Sequence, residues 1–191
     1  MYSWIVLIDM ADSNITKNAL AASLKNLMRE KPFEKISVSD ICDSCGMNRK
    51  SFYYHFKDKY DLVNWIFLVD FLGKMNFEDY ETGWDAVEDI CCRFYADREF
   101  YRAALKIEGQ NSFHDYVIDS IRPIVTLYIQ DMFRDDDLQE FFITFYCDAF
   151  LCAITRWLSE GMQMNDKDFV KKLKAVGVGL AKIVIRDEHE I

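Results

Sequence analysis

The sequence predicts an all-α protein, in which a three-helix helix-turn-helix domain is followed by a larger helical domain, with about nine helices in total. Two observations predict this fold class. Only two prolines and seven glycines interrupt the 191 residues, which is a helix-rich composition. Apolar residues recur every three or four positions, as on amphipathic helices, and no intervening segment alternates convincingly with period two.

Length and composition exclude several classes of protein. A chain of 191 residues can bury a sizeable core as one large domain or two small ones. Charged residues interrupt every apolar run before the roughly 18 to 20 residues of a membrane helix. The apolar run at 4–8 is too short for a secretory signal. We therefore expect a soluble, cytoplasmic protein whose six cysteines are reduced.

The charge is divided unevenly along the chain. The net charge is −9, but residues 14–60 contain nine basic and five acidic residues, so this segment carries +4 and the remainder −13. A basic head on an acidic body is expected of a protein that touches nucleic acid at one end only.

Local signals place the first helices. Residues 1–9 look unlike the rest of the chain, and we expect them to be a non-native or disordered extension of a head at 10–60. The first helix is predicted over about 14–30, and Pro32 ends it.

Three capping signals define the next helices. Ser37 and Asp40 have the spacing of a capping box, while Asn48 and Asp58 can each cap a following helix. Gly46 occupies a tight turn that needs positive φ. The predicted helices cover about 37–44, 48–54 and 58–77. Two short helices joined by a glycine turn indicate a helix-turn-helix unit.

The remaining residues, 61–191, are predicted to form the helical body. Pro123 is expected to break or kink one of its helices. The predicted helices cover about 84–95, 97–107, 113–133, 137–160 and 166–186.

The segment 46–62 reads GMNRKSFYYHFKDKYDL. Its glycine turn, cap, two variable residues, Ser, apolar residue, Tyr, His-Phe and following Lys and Leu strongly resemble the signature of TetR-family regulators. The segment FEKISVSDI at 33–41 resembles the lead into the second helix of that family. The resemblance implies a dimeric, bacterial-type DNA-binding transcriptional regulator.

The chemistry of the third helix agrees with this resemblance. A recognition helix enters the major groove by its N-terminal end, where Arg49 and Lys50 lie, and Arg suits bidentate donation to guanine. Many family members have a small residue such as Gly at the second of these positions. The resemblance implies that other positions hold phosphates or fix the helix. The predicted DNA-binding residues are Ser37, Asn48, Arg49, Lys50, Ser51, Tyr53, Tyr54, His55 and Lys59.

The last two helices predict a homodimer. Residues 138–158 are apolar almost all round the helix, which indicates burial on both sides, and the final helix carries an apolar stripe. The resemblance implies a four-helix bundle with a second copy, which would read a palindromic operator. An intramolecular core is the alternative. The predicted interface residues are Ala149, Ala153, Trp157, Leu173, Val176 and Leu180.

The body also carries many aromatic residues. The resemblance implies that they enclose an effector pocket, although aromatic stripes are more often simple core. The predicted pocket residues are Trp65, Phe71, Trp84, Tyr101, Tyr128 and Phe145.

The segment AITRWLSEGM at 153–162 resembles regulators related to the dihydroxyacetone kinase operon activators, some of which answer to a partner protein. Two hypotheses follow. In the first, a small-molecule effector controls DNA binding, and in the second the body docks a sensor protein, so that the chain acts as a co-activator. A ligand-sized pocket favours the first, and a filled aromatic core with an exposed apolar patch favours the second.

Catalytic and metal chemistry are not expected. Cys42 and Cys45 have the spacing of half a zinc site, but no second pair follows, and a place in the core is the simpler interpretation. The three histidines are scattered, and no nucleophile elbow, phosphate-binding glycine loop or metalloprotease motif occurs. We therefore predict no enzyme activity, no cofactor and no metal.

Overall fold

The computed structural model describes the backbone of residues 3–109, 112–129, 136–161 and 164–188, and the side chains of 14–69, 71–76, 78–109, 112–127, 137–161 and 164–179. Nine α-helices and no strand occur in these ranges, which confirms the predicted fold class. The helices are α1 (Ser3–Glu30), α2 (Val38–Ser44), α3 (Arg49–His55), α4 (Lys59–Ile66), α5 (Gly83–Ala96), α6 (Arg98–Ala104), α7 (Phe113–Ile129), α8 (Asp136–Ser159) and α9 (Asp166–Glu188).

Contacts divide the chain into two units. The first comprises Met1–Lys74 with Glu99–Ile121, and the second comprises Met75–Arg98 with Arg122–Ile191. The first unit therefore groups the helix-turn-helix with α4, α6 and the start of α7. The domain limits at 10–60 and 61–191 stay predictions of the sequence.

Two helices differ from their predicted bounds. α1 begins at Ser3, well before the predicted start at residue 14. The long helix predicted over 58–77 is α-helical only to Ile66 and continues as a π-helical turn over Phe67–Phe71 and a 3-10 turn over Leu72–Lys74. The buried residues Leu62, Ile66, Phe71 and Met75 are spaced 4, 5 and 4 apart. Because an α-helix repeats every 3.6 residues, the wider π turn keeps these side chains on one side.

Helix α7 runs through Pro123 without a break. A break at Pro123 is therefore wrong within the described part of this helix, while the alternative of a kink stays a prediction. Residues 130–133 of the predicted helix lie outside the described residues.

The helix-turn-helix has its own small core in the first unit. Phe52, Ile41 and Leu24 are completely buried between α1, α2 and α3. The Ser23 hydroxyl donates to the Ile41 carbonyl at 2.7 Å, so α1 is tied to α2 in the interior.

The rest of the first unit packs around aromatic rings. Phe67 and Phe71 lie 4.6 Å apart by ring centroid. Phe71 contacts Tyr101 at 5.7 Å, and Phe113 lies edge-on to Phe67 at 5.6 Å. All four side chains are at most 2% exposed, so the rings fill this interior with one another.

The second unit is built on α5, α8 and α9. Trp157 is its central side chain, stacked on Phe169 at 4.3 Å with rings 5° from parallel. On the other side Trp157 stacks with Tyr95 at 5.9 Å, and its Nε1 donates to the Met164 carbonyl at 2.9 Å. The ion pair between Lys174 and Glu88 joins α9 to α5.

One helix in the described ranges, Asp137–Ser159, is long and apolar enough to cross a membrane by length and composition. This corrects our expectation that charges interrupt every such run. The same helix contributes Leu151, Ile154 and Trp157 to the interior of the second unit, and core helices of soluble proteins pass this test equally well.

Candidate nucleic-acid interface

Two helix caps and one turn fix the candidate interface. The Ser37 hydroxyl accepts from the Asp40 N–H at 3.1 Å, and the Asp40 carboxylate accepts from the Ser37 N–H at 2.8 Å. This backbone hydrogen bond, with help from Lys31, lowers the pKa of Asp40 to about 2. Gly46 has φ 68°, as the predicted turn requires, and Asn48 caps α3 by accepting from the Ser51 N–H at 2.8 Å.

Helix α3 presents a polar and aromatic face to solvent. Arg49 and Lys50 are exposed in its first turn, while Tyr53 is 50% and Tyr54 76% exposed. Ser51 is half-buried beneath this face. The opposite side of the helix holds Phe52 in the core, so the helix can offer only its exposed side to a partner.

His55 ends α3 in a half-buried position. Its ring lies between Tyr54 at 4.8 Å and Phe56 at 6.4 Å. Burial, and then the positive charge of Lys17 on α1, lower the pKa of His55 below its ordinary value. The imidazole is therefore neutral at physiological pH, a form that can donate one hydrogen bond to a phosphate but adds no charge.

The Lys59 ammonium is held by hydrogen bonds to the protein's own backbone. Its Nζ donates to the carbonyls of Phe33 at 2.7 Å and Ile36 at 2.8 Å, and lies 3.4 Å from that of Glu34. The ammonium also lies 4.3 Å from the centre of the Phe33 ring. Burial lowers the pKa of this ammonium. Lys59 thus joins the start of α4 to the loop that leads into α2.

The predicted DNA-binding residues therefore fall into two groups. The predicted side chains on α3 form one surface, while those of Ser37, Asn48 and Lys59 make hydrogen bonds to the protein's own backbone. The sequence predicts no role for Lys17. Its Nζ lies 6.0 Å from the centre of the Trp65 ring, and its charge lowers the pKa of His55. Its only sequence signal is its place in the basic head.

Comparison with known protein families identifies the family to which this chain belongs. Residues 20–66 match the model of bacterial regulatory proteins of the tetR family, and residues 82–177 match a transcriptional regulator C-terminal region. The chain belongs to the TetR family. It is therefore a transcriptional regulator and not an enzyme, and the helix-turn-helix of α2 and α3 is the DNA-binding element of this family.

The relatives of this TetR-family regulator agree in fold. The dhaKLM operon transcriptional activator DhaS of Lactococcus lactis is 28% identical over 153 residues, which cover 78% of this chain and 82% of DhaS. A solved dihydroxyacetone kinase operon activator DhaS has a TM-score of 0.67 at 22% identity, covering 90% of this chain and 97% of that one. A TetR regulator structure from Streptococcus agalactiae has a TM-score of 0.56 at 19% identity, covering 87% and 96%.

The residues predicted to form the dimer interface differ in how far they are exposed. Ala149 and Val176 are exposed, and Ala153 and Leu173 are half-buried. Trp157 is only 5% exposed and packs in the core of its own chain, which argues against its predicted place at an interface. Leu180 lies outside the described side chains.

The exposed face of α8 is an apolar stripe that we had not predicted. Its members are spaced 3, 4, 4 and 3 residues apart, which keeps them on one side of the helix. Phe141 is 69% and Phe145 62% exposed. The α8 stripe consists of Leu138, Phe141, Phe145, Ala149 and Cys152. The spacing of these residues is visible in the sequence. Because the opposite face of the helix is equally apolar, the sequence does not show which of the two faces is exposed.

The predicted pocket residues are divided between the two units. Phe71 and Tyr101 belong to the filled aromatic cluster of the first unit. Trp65 lies beside Phe56 in the head, 5.6 Å away, and Trp84 contacts Lys174 in the second unit. Phe145 is 62% exposed in the single chain, which does not support its place in an enclosed pocket. The side chain of Tyr128 lies outside the described residues.

Two grooves in the described part of the protein differ from the predicted aromatic pocket in the residues that line them. An open groove of about 690 Å³ lies between α5 and α9 and is lined mainly by Asp, Glu and Lys side chains. A second groove of about 400 Å³ lies between the end of α1 and α6, over Phe33 and Met28. Neither is lined by any of the five predicted pocket residues whose side chains the structure describes.

The Cys-x-x-Cys pair ends α2. Cys42 is 1% exposed, and the Cys45 thiol lies 3.3 Å from the Ile41 carbonyl, to which it donates. Burial raises the pKa of Cys42. All six cysteines are free thiols, and among the described side chains no group of three or more His, Cys, Asp or Glu residues is arranged to hold a metal.

The contacts of Lys59 lead to a testable prediction. Lys59→Met keeps the aliphatic stem but removes an ammonium bonded to the Phe33 and Ile36 carbonyls. We expect it to lower the free energy of unfolding by about 1.5 to 3 kcal/mol and to weaken DNA binding for all sequences. We expect the slope of log affinity against log salt concentration to stay unchanged, because the ammonium already donates to backbone carbonyls of its own chain.

Thermal melts and salt titrations of DNA binding would measure both effects. Lys57→Met is the matched control, since Lys57 is exposed and its replacement should not change the melting temperature. If Lys59→Met made the salt slope shallower by about 0.9, the value for one neutralised phosphate, and left stability intact, Lys59 would be a phosphate ligand instead.

Proposed function

We propose that this TetR-family regulator binds a palindromic operator as a homodimer, with α3 as the recognition helix. The observation that carries this proposal is the exposed first turn of α3, where Arg49 and Lys50 stand on a helix whose opposite side is locked into the core by Phe52. A helix presented in this way can place both side chains against base edges in the major groove.

The remaining polar groups are proposed to contact the sugar-phosphate backbone or to support the recognition helix. Ser37 is exposed at the N-cap of α2, and because its hydroxyl oxygen accepts from the Asp40 N–H, its hydroxyl hydrogen can donate to a phosphate oxygen. Tyr54 is largely exposed, and its hydroxyl can donate to phosphate. The proposed contact residues are Ser37, Ser51, Tyr53, Tyr54 and His55, while Asn48 and Lys59 hold the helices in place.

The homodimer is proposed to form through the α8 stripe with Leu173 and Val176 of α9. Two adjacent rings, Phe141 and Phe145, are more than 60% exposed in the single chain. Contiguous apolar surface of this kind is typical of an interface. A twofold interface would present two α3 helices to successive turns of DNA, which explains why a palindrome is expected.

Selection of bound sequences from random DNA tests the proposal. The wild type should enrich a palindrome, and Arg49→Ala or Lys50→Ala should relax preference at particular base pairs, by about 1 to 3 kcal/mol for a bidentate contact. Lys167→Ala is the control, because this exposed lysine lies on α9. If both α3 variants selected the same sequences as the wild type, α3 would not be the reading element.

For control of DNA binding, the structure favours docking of a sensor protein over a small molecule in the predicted pocket. Phe67, Phe71, Tyr101 and Phe113 fill the interior of the first unit with aromatic contacts. The predicted pocket residues whose side chains are described line neither groove. The similarity to DhaS, described as an operon activator, supports the co-activator hypothesis. A metabolite that both raised the melting temperature and changed operator affinity would overturn it.

A further inference from the structure

Helix α3 holds the guanidinium group of Arg49 in place through Tyr53, one turn further along. Arg49 Nη2 donates to the Tyr53 hydroxyl oxygen at 3.3 Å. The guanidinium carbon also lies 5.8 Å from the centre of the Tyr53 ring. This hydrogen bond raises the pKa of Arg49.

The Tyr53 ring is itself anchored. It packs edge-on against Phe52, with ring centroids 5.5 Å apart and planes at 82°, and Phe52 is completely buried. Half of the Tyr53 side chain remains exposed. Because side chains of an α-helix lean towards its N-terminus, the residue four positions later reaches back over Arg49.

The phenol hydroxyl can serve two contacts at once. It has one hydrogen and two lone pairs, so accepting from Arg49 leaves its hydrogen free to donate to a phosphate oxygen. Arginine reads guanine through two parallel N–H bonds, and this requires the guanidinium plane to match the plane of the base. An anchored tyrosine restricts that plane before DNA arrives, which lowers the ordering cost of binding.

We propose that Tyr53 is a positioning residue for specificity, whose hydroxyl and ring orient Arg49 and thereby set the base preference that Arg49 enforces. The proposal rests on the proposed function, since it presupposes that α3 reads the operator.

Tyr53→Phe tests the proposal because it removes the hydroxyl and keeps the anchored ring. Affinities are measured for the selected operator and for versions with each base pair substituted. The base pair read by Arg49 is the one whose substitution no longer matters in Arg49→Ala. At that base pair we expect Tyr53→Phe to reduce discrimination about two- to tenfold, as for loss of one hydrogen bond, with the melting temperature unchanged.

Two further variants separate positioning from other roles. Tyr54→Phe is the matched control, since it makes the same chemical change at the neighbouring residue, whose ring contacts His55, and it should leave discrimination at that base pair intact. In the Arg49→Ala background, Tyr53→Phe should have no further effect on discrimination, because the group that it orients is gone.

The outcomes distinguish this proposal from the function on which it rests. If Arg49→Ala left every base preference unchanged, recognition by α3 as proposed would fail. If Arg49→Ala abolished one preference but Tyr53→Phe weakened all operators by the same factor, Tyr53 would be a phosphate contact only. That second result would overturn the positioning role and leave recognition by α3 standing.

Discussion

Phe145→Glu should convert the homodimer into folded monomers and weaken binding to the palindrome at least about 100-fold, since the advantage of two linked half-sites is lost. Phe145 is 62% exposed in the single chain and lies in the middle of the α8 stripe. In a twofold interface each partner would bury one carboxylate without a cation, at a cost of about 3 to 5 kcal/mol per uncompensated charge.

Sedimentation at micromolar concentration measures this result. The wild type should give twice the chain mass of 22.6 kDa, and the variant should give the single mass with an unchanged helical circular dichroism spectrum. Ile15→Glu is the control, because Ile15 on α1 is exposed to a similar degree, 65%, but lies outside the stripe. A wild-type monomer, or a variant that stays dimeric, would exclude the α8 stripe as the interface.

Trp157→Ala should lower the free energy of unfolding by about 3 to 5 kcal/mol, the usual cost of removing a large buried aromatic side chain. The change removes the stacking with Phe169 and Tyr95 and leaves the Met164 carbonyl without the indole donor. Trp157→Phe keeps much of the stacking surface and loses the N–H, so it should have a smaller effect. Denaturant unfolding at a fixed protein concentration measures both.

Measuring the effect of Trp157→Ala in the monomeric Phe145→Glu background distinguishes a core position of Trp157 from an interface position. If Trp157 belongs to the core of its own chain, Trp157→Ala should cost the same in the monomer as in the wild type. If it lies at the interface, as its sequence pattern predicted, the cost should disappear in the monomer, and the core placement would be wrong.

Much of the helix-turn-helix followed from sequence because its signals are local. The capping box of Ser37 and Asp40, the Asn48 cap and the positive φ of Gly46 each depend on residues within a few positions, and all are found as predicted. The energy of a cap comes from side chains next to the orphan N–H groups of the same helix. A short motif therefore contains the information that such a structure needs.

The partners of Lys59 required the tertiary fold. The sequence shows only a lysine in a basic segment, and such a residue is compatible with a phosphate contact. The carbonyls that it binds belong to Phe33 and Ile36, 26 and 23 residues away. A loop carbonyl carries no distinctive side chain, so nothing in the sequence marks it as the acceptor.

Sequence alone determined that residues 137–160 form a helix and that this helix is apolar almost all round. Only the tertiary structure decided which side faces inward. Trp157 finds a flat partner in Phe169 and an acceptor for its N–H in Met164, whereas Phe145 remains in solvent. The two faces of the helix are equally hydrophobic, so hydrophobicity alone does not determine which face packs inward. Shape and hydrogen bonding select the face, and they depend on residues far along the chain.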